Sequence, residues 1–92
     1  MELNVIEQKK DRMVFELKGE GHSFCNALKR ELWNDKKIKA AGYTIRHPLV
    51  AVPKVIVETD GSKRPEEALK DASKSLKKKA DAFSKEFKKI VK

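Results

Sequence analysis

His22 and Cys25 stand three residues apart at the start of a helical segment. They are the one pair in the chain with the makings of nucleophilic chemistry. A helix N-terminus depresses a thiol pKa, and a nearby imidazole could take the proton. No carboxylate is placed to orient that imidazole, and no second ligand cluster accompanies it. A small buried cysteine is the better account, since free cysteine is among the most buried residue types. His47, just before Pro48, could act as a base. Ring nitrogens that tie a bend to backbone groups, or face a partner, explain it more simply. Paired carboxylates of defined geometry, a glycine-rich phosphate loop and a nucleophile elbow are all missing. One cysteine and two histidines also exclude a disulfide framework and a four-ligand zinc site within one chain. The expectation is a chain with no catalytic residues, no metal and no cofactor.

The second chemistry on offer is charge. Twenty-two basic residues against fourteen acidic ones leave a formal charge of +8. Such a balance suits nucleic acid, an anionic surface or an acidic protein partner, and by itself it argues about association, not fold. Many of the lysines share one face of a C-terminal helix: Lys70, Lys74, Lys77, Lys78, Lys85, Lys88 and Lys89. A basic helix can contact phosphates. This one has no aromatics interleaved on that face and no base-reading motif, so a solvated face is the better account. A free-standing nucleic-acid-binding protein remains the alternative function.

The elements that carry these residues are legible from periodicity. Leu3, Val5 and Ile6 lie in a short first strand within Glu2–Lys10. After the charged turn Lys9-Lys10-Asp11, Met13, Phe15 and Leu17 alternate with polar residues. That period of two marks a half-buried strand, and two such runs joined by a tight polar turn make an antiparallel hairpin. Gly19 and Gly21 end it, and Ser23 is the expected N-cap of a first helix that fades at Asn34-Asp35. On that helix Phe24, Cys25, Ala27, Leu28 and Leu32 span an arc of roughly 160°, wider than the ~100° needed to sit on one core. The excess points to a partner. Asn26 and Trp33 fall off the arc. Trp33 suits either an interface anchor or packing over the helix end.

A third strand over Ile38–Arg46, with Ala40, Tyr43 and Ile45 inward or partner-facing, ends at His47-Pro48-Leu49. Pro53 opens a fourth, Val55-Ile56-Val57, closed by Thr59-Asp60-Gly61. Pro65 then starts a long helix with Glu66 and Glu67 in its first turn, where acids suit the helix dipole. Leu69, Ala72, Leu76, Ala80, Phe83, Phe87 and Ile90 recur every three or four residues, a stripe of roughly 100° along ~39 Å. A helix longer than its sheet must project, leaving Phe83, Phe87 and Ile90 for another chain to cover. The order β-β-α-β-β-α predicts an α+β fold: a four-stranded antiparallel sheet with both helices on one face. Residues 1–92 read as a single domain whose modest core would gain from a partner. No apolar run approaches ~18 residues, so no membrane span is expected, and a cytoplasmic location is.

Three blocks of this chain resemble the alpha-like RNA polymerase assembly subunits. Gly21, Asn26, Ala27, Leu28 and Arg30 match the helix motif G-x-T-L-x-N-A-L-R-R, with Ser23 for threonine, Phe24 for leucine and Lys29 for arginine. Ala41-Gly42-Tyr43 with His47-Pro48-Leu49 matches the A-G-Y-x-x-x-H-P-L block of the small archaeal and eukaryotic members. Pro53, Thr59 and Pro65-Glu66-Glu67-Ala68-Leu69 also fall where theirs do. Gly21 departs from those members, which usually carry an acid there. The resemblance implies a non-catalytic subunit of DNA-directed RNA polymerase. Such a subunit pairs through its helices with a larger alpha-like subunit, forming the platform on which the two large catalytic subunits assemble. It places Phe24, Asn26, Leu28, Arg30 and Leu32 at that platform. Periodicity adds Leu76, Phe83, Phe87 and Ile90 to the expected interface.

Overall fold

The computed structural model describes residues 2–45 and 52–90, apart from the side chains of Phe87 and Ile90. Its elements run β1 (Glu2–Gln8), β2 (Arg12–Lys18), α1 (His22–Trp33), β3 (Ile38–Thr44), β4 (Lys54–Thr59) and α2 (Pro65–Ile90). The strands form one antiparallel sheet in the order β1-β2-β4-β3, so β1 and β3 are its two edges. The fold is the α+β arrangement expected. The bend at His47-Pro48-Leu49 lies outside the described residues.

Alternation fixes the sheet's two faces. Met13, Phe15 and Leu17 of β2 stand beside Val55 and Val57 of β4, and all five are buried in one core with Cys25, Leu28 and Leu32 of α1. On the opposite face Arg12 bridges Glu7 at 2.9 Å and Glu58 at 3.2 Å, a polar lattice across β1, β2 and β4. Two turns need positive φ and have glycine there: Gly19 (φ 89°) after β2 and Gly61 (φ 90°) after β4. The Asp60 carboxylate accepts from the Ser62 amide at 2.9 Å and closes the second turn.

Two local expectations are corrected. The first concerns the cap of α1. Its N-cap is Gly21, with no side-chain capping bond, and Ser23 already lies inside the helix. The second concerns the phase of β3. A register shift between Ile38 and Ala40 sets Ala40 opposite Glu58 on the polar face, while Ala41 and Tyr43 turn to the core side opposite Val57 and Val55. A bulge adds one residue and moves every later side chain of the strand to the other face, which alternation counted from Ile38 cannot anticipate.

Candidate partner-binding surface

The helix motif splits between the chain's own core and its surface. Leu28 and Leu32 are buried against the chain's own sheet, so the structure gives them to the subunit core and not to direct contact with a partner. They shape the surface from beneath. Phe24 is half-buried at the core margin. Arg30 is exposed on the side away from the sheet, and Asn26 is half-buried. Among the described residues Asn26 makes no side-chain hydrogen bond. Cys25 is a free, buried core residue whose thiol is pushed up by burial and then by the Glu20 charge, the reverse of an activated nucleophile. His22 is exposed and its Nδ1 lies 2.9 Å from the Tyr43 hydroxyl.

Helix α2 has two halves. Pro65, Ala68 and Ala72 are buried, and Leu69 and Leu76 pack partly on the core. Beyond Leu76 every described side chain is exposed, Phe83 at 70%. The projecting half is therefore real. Phe87 and Ile90 continue its stripe in sequence, with side chains outside the described set.

A buried acid holds the helices together. Glu31 sits within the apolar arc of α1, only 9% exposed, and its carboxylate takes the ammonium of Lys79 on α2. That bond, then one from Ser75, holds the Glu31 carboxyl below the usual range. A second tie runs through Lys63, which reaches Asp35 and Asp71 at 2.6 Å each. Reading the sequence by apolar periodicity misses the Glu31 tie, though a carboxylate inside an apolar arc is a visible signal. Together these pairs fix the direction in which α2 leaves the sheet.

The surface that the helices leave uncovered is equally specific. Leu3 and Val5 of β1 pair with Leu17 and Phe15, so they stand on the helix side of the sheet. They nevertheless remain 55% and 46% exposed. Among the described residues the two helices pack mainly over β2, β4 and β3, and β1 is tied to α2 at its far end, where the Gln8 amide donates to Glu66 at 2.9 Å. Leu3 and Val5 on β1 and Phe83 on the outer half of α2 are thus exposed apolar side chains, and Leu69 and Leu76 are partly buried against the core. These side chains offer no polar constellation for catalysis, and among the described residues no cluster of His, Cys, Asp and Glu could hold a metal. Exposed apolar surface of this kind suits contact with another molecule.

Comparison with known proteins decides which kind. The profile of the RNA polymerase Rpb3/Rpb11 dimerisation domain matches residues 12–86. The chain belongs to that family. Subunit Rpo11 of the DNA-directed RNA polymerase of Methanocella arvoryzae is 39% identical over 92 residues, covering 100% of this chain and 99% of the relative. The counterpart from Pyrococcus horikoshii is 36% identical over 94 residues, with coverage of 100% and 99%. A solved structure of RNA polymerase subunit L from Thermoplasma acidophilum has the same fold, with a TM-score of 0.84 and 27% identity over 97% of this chain and 87% of that one. The family match spans α1, where the motif lies, and most of α2, where the projecting stripe lies.

Proposed function

We propose that this chain is the small alpha-like subunit of an archaeal RNA polymerase, of the kind named Rpo11 or L in its relatives. In this reading it carries no catalytic residue of its own. It pairs with a larger alpha-like subunit, and the pair is the platform for the large catalytic subunits. One observation carries the proposal: the helices pack mainly over β2, β4 and β3, Leu3 and Val5 of β1 stay about half exposed, and α2 extends past its own sheet. A family whose defining property is dimerisation supplies the missing layer. Leu76 and Phe83 line the contact, with Arg30 and Asn26 on the outward side of α1, and Phe87 and Ile90 extend it.

The test is affinity purification of the tagged chain from native extract at high salt, with mass spectrometry of the proteins that stay bound. Salt screens phosphate contacts and leaves apolar burial largely intact. Recovery of one larger alpha-like subunit with the large polymerase subunits is expected, and Phe83→Asp should lose them. Leu28→Asp, by contrast, would charge the chain's own core and unfold it, so it reports on folding. Recovery of nothing but nucleic acid, and that only at low salt, would move the assignment to the basic-helix reading.

A further inference from the structure

Helices α1 and α2 meet along a polar seam. Glu31 and Asp35 stand four residues apart at the C-terminal end of α1, and Asp71, Ser75 and Lys79 keep the same spacing on α2. Each set therefore lies along one side of its helix. Glu31 accepts from Lys79, Ser75 and Asn34, while Lys63 joins Asp35 to Asp71 at 2.6 Å each. The seam runs antiparallel, climbing from Asp71 to Lys79 on α2 as it descends from Asp35 to Glu31. On the α2 side the groove is also lined by Ala68, Ala72 and Ser75. Alanine and serine raise no large ridge with which to lock a crossing angle. The two ties sit at different places. Lys63 holds the end of α2 that the core already grips, beside buried Ala68 and Ala72. Glu31 reaches past Leu76 into the half whose described side chains are all exposed.

We propose that Glu31 is a positioning residue for partner binding: by grasping Ser75 and Lys79 it aims the projecting half of α2 along the line that the larger alpha-like subunit takes. The proposal rests on the dimerisation reading and adds how the contact is prepared. Stability alone does not account for a carboxylate here. The Glu31 side chain is 7% exposed, and an apolar residue of like size at a buried ionic position often leaves a fold as stable or more so. Leucine at position 31 would also extend the buried apolar surface of Leu28 and Leu32. What leucine cannot do is choose a direction, whereas a carboxylate with bonded partners on both helices accepts one arrangement of α2. A projecting helix gripped only at its core-bound end samples a cone of directions, and only the correctly aimed fraction binds. If untying Glu31 leaves about a tenth of the chains so aimed, affinity falls about tenfold through association, with dissociation unchanged.

The test compares the full wild-type chain with Glu31→Leu, Lys79→Met, the double variant and Lys79→Arg, with circular dichroism checking that each folds. Nitroxide labels on Lys39→Cys and Lys85→Cys, both exposed positions, report the direction of α2 by pulsed electron spin resonance, and native Cys25 is buried. Binding of the larger alpha-like subunit of the same polymerase is followed as association and dissociation rates. Glu31→Leu and Lys79→Met should each broaden the distance distribution and bind about tenfold more weakly through slower association. The double variant should bind no more weakly than Glu31→Leu, because one tie is lost in every case, and Lys79→Arg should behave as wild type. An unchanged distribution, or an unchanged association rate beside a broadened one, would overturn the role of Glu31 and leave dimerisation standing. A double variant that sums the two singles would do the same, by showing that Lys79 touches the partner itself. Lys79 is exposed, so Lys79→Met decides the matter if Glu31→Leu does not fold. If the wild-type chain fails to bind the larger subunit, the dimerisation reading falls and the positioning role falls with it.

Discussion

The two edges of the sheet are treated in opposite ways. At β3 side chains seal part of the edge, although Trp33 itself stays 50% exposed. The Trp33 indole N–H donates to the Ala41 carbonyl at 3.1 Å, and His22 and Lys29 both reach the Tyr43 side chain, with the Lys29 ammonium 5.9 Å from the ring centroid. At β1, among the described residues, the helices reach only the Gln8 end, through its bond to Glu66, and Leu3, Val5 and Ile6 are each about half exposed. An open, apolar edge is a liability that soluble proteins normally blunt. The chain can blunt one, so leaving the other bare marks where it is to be completed. Under the proposed reading, the difference assigns the β3 side to the subunit and the β1 side to the complex.

The largest effect should follow from damaging the subunit's own core. Leu32 is buried beneath α1, and Leu32→Ala should cost about 3 kcal/mol and unfold most of the isolated chain, read by urea denaturation. Next comes the β1 side. Val5→Asp should leave the free chain within about 0.5 kcal/mol of wild type, as exposed positions do. The same change should weaken binding to the larger alpha-like subunit at least about 100-fold by burying an unpaired charge. Calorimetric titration beside a denaturation curve separates the two, and a variant that unfolds but still binds would reverse the comparison. Trp33→Phe removes one hydrogen bond at the sealed edge and should cost about 1 kcal/mol with partner affinity unchanged.

Smaller still are the electrostatic ties. Bonds from Lys63 and then from the Lys37 amide hold the Asp35 carboxyl low, as Lys79 and Ser75 do for Glu31. Carboxyls with depressed pKa values stabilise the fold above the ordinary carboxylate range, and the gain is lost as pH falls through their folded values. Melting temperature should therefore drop below about pH 4, and Lys63→Met should flatten that drop. Lys63 is shifted the other way, upward, so its share persists through neutral pH and fades only in strong alkali. The smallest change concerns the uncapped start of α1. Gly21 has φ −119° and open space where a Cβ would go, so Gly21→Asp should cap the helix and add a few tenths of a kcal/mol in the same assay.

Much of this is legible from sequence because local rules and the global fold agree. The alternation of Met13, Phe15 and Leu17, the Gly19 turn and Pro65 at the first position of α2 each name their element alone. The side chains of Leu28 and Leu32 are legible as apolar, but periodicity does not say which apolar face belongs to the subunit and which to its partner. The β3 bulge hides the phase of Ala40, since an inserted residue leaves no mark in composition. Leu3 and Val5 read as an ordinary strand; their exposure depends on α1 and α2 lying over the other three strands, a tertiary fact. Glu31 escapes a reading by periodicity because its partner, Lys79, is 48 residues away.

The central claim is that the β1 side is where the larger alpha-like subunit sits. Thiol labelling tests it directly, because the native Cys25 is buried and gives little background. Val5→Cys and Lys39→Cys place single accessible thiols on β1 and β3, to be labelled with a maleimide in the free chain and in the two-subunit complex. The account predicts that labelling at position 5 slows at least tenfold in the complex while position 39 is unchanged. Protection at position 39 with position 5 still open would contradict it.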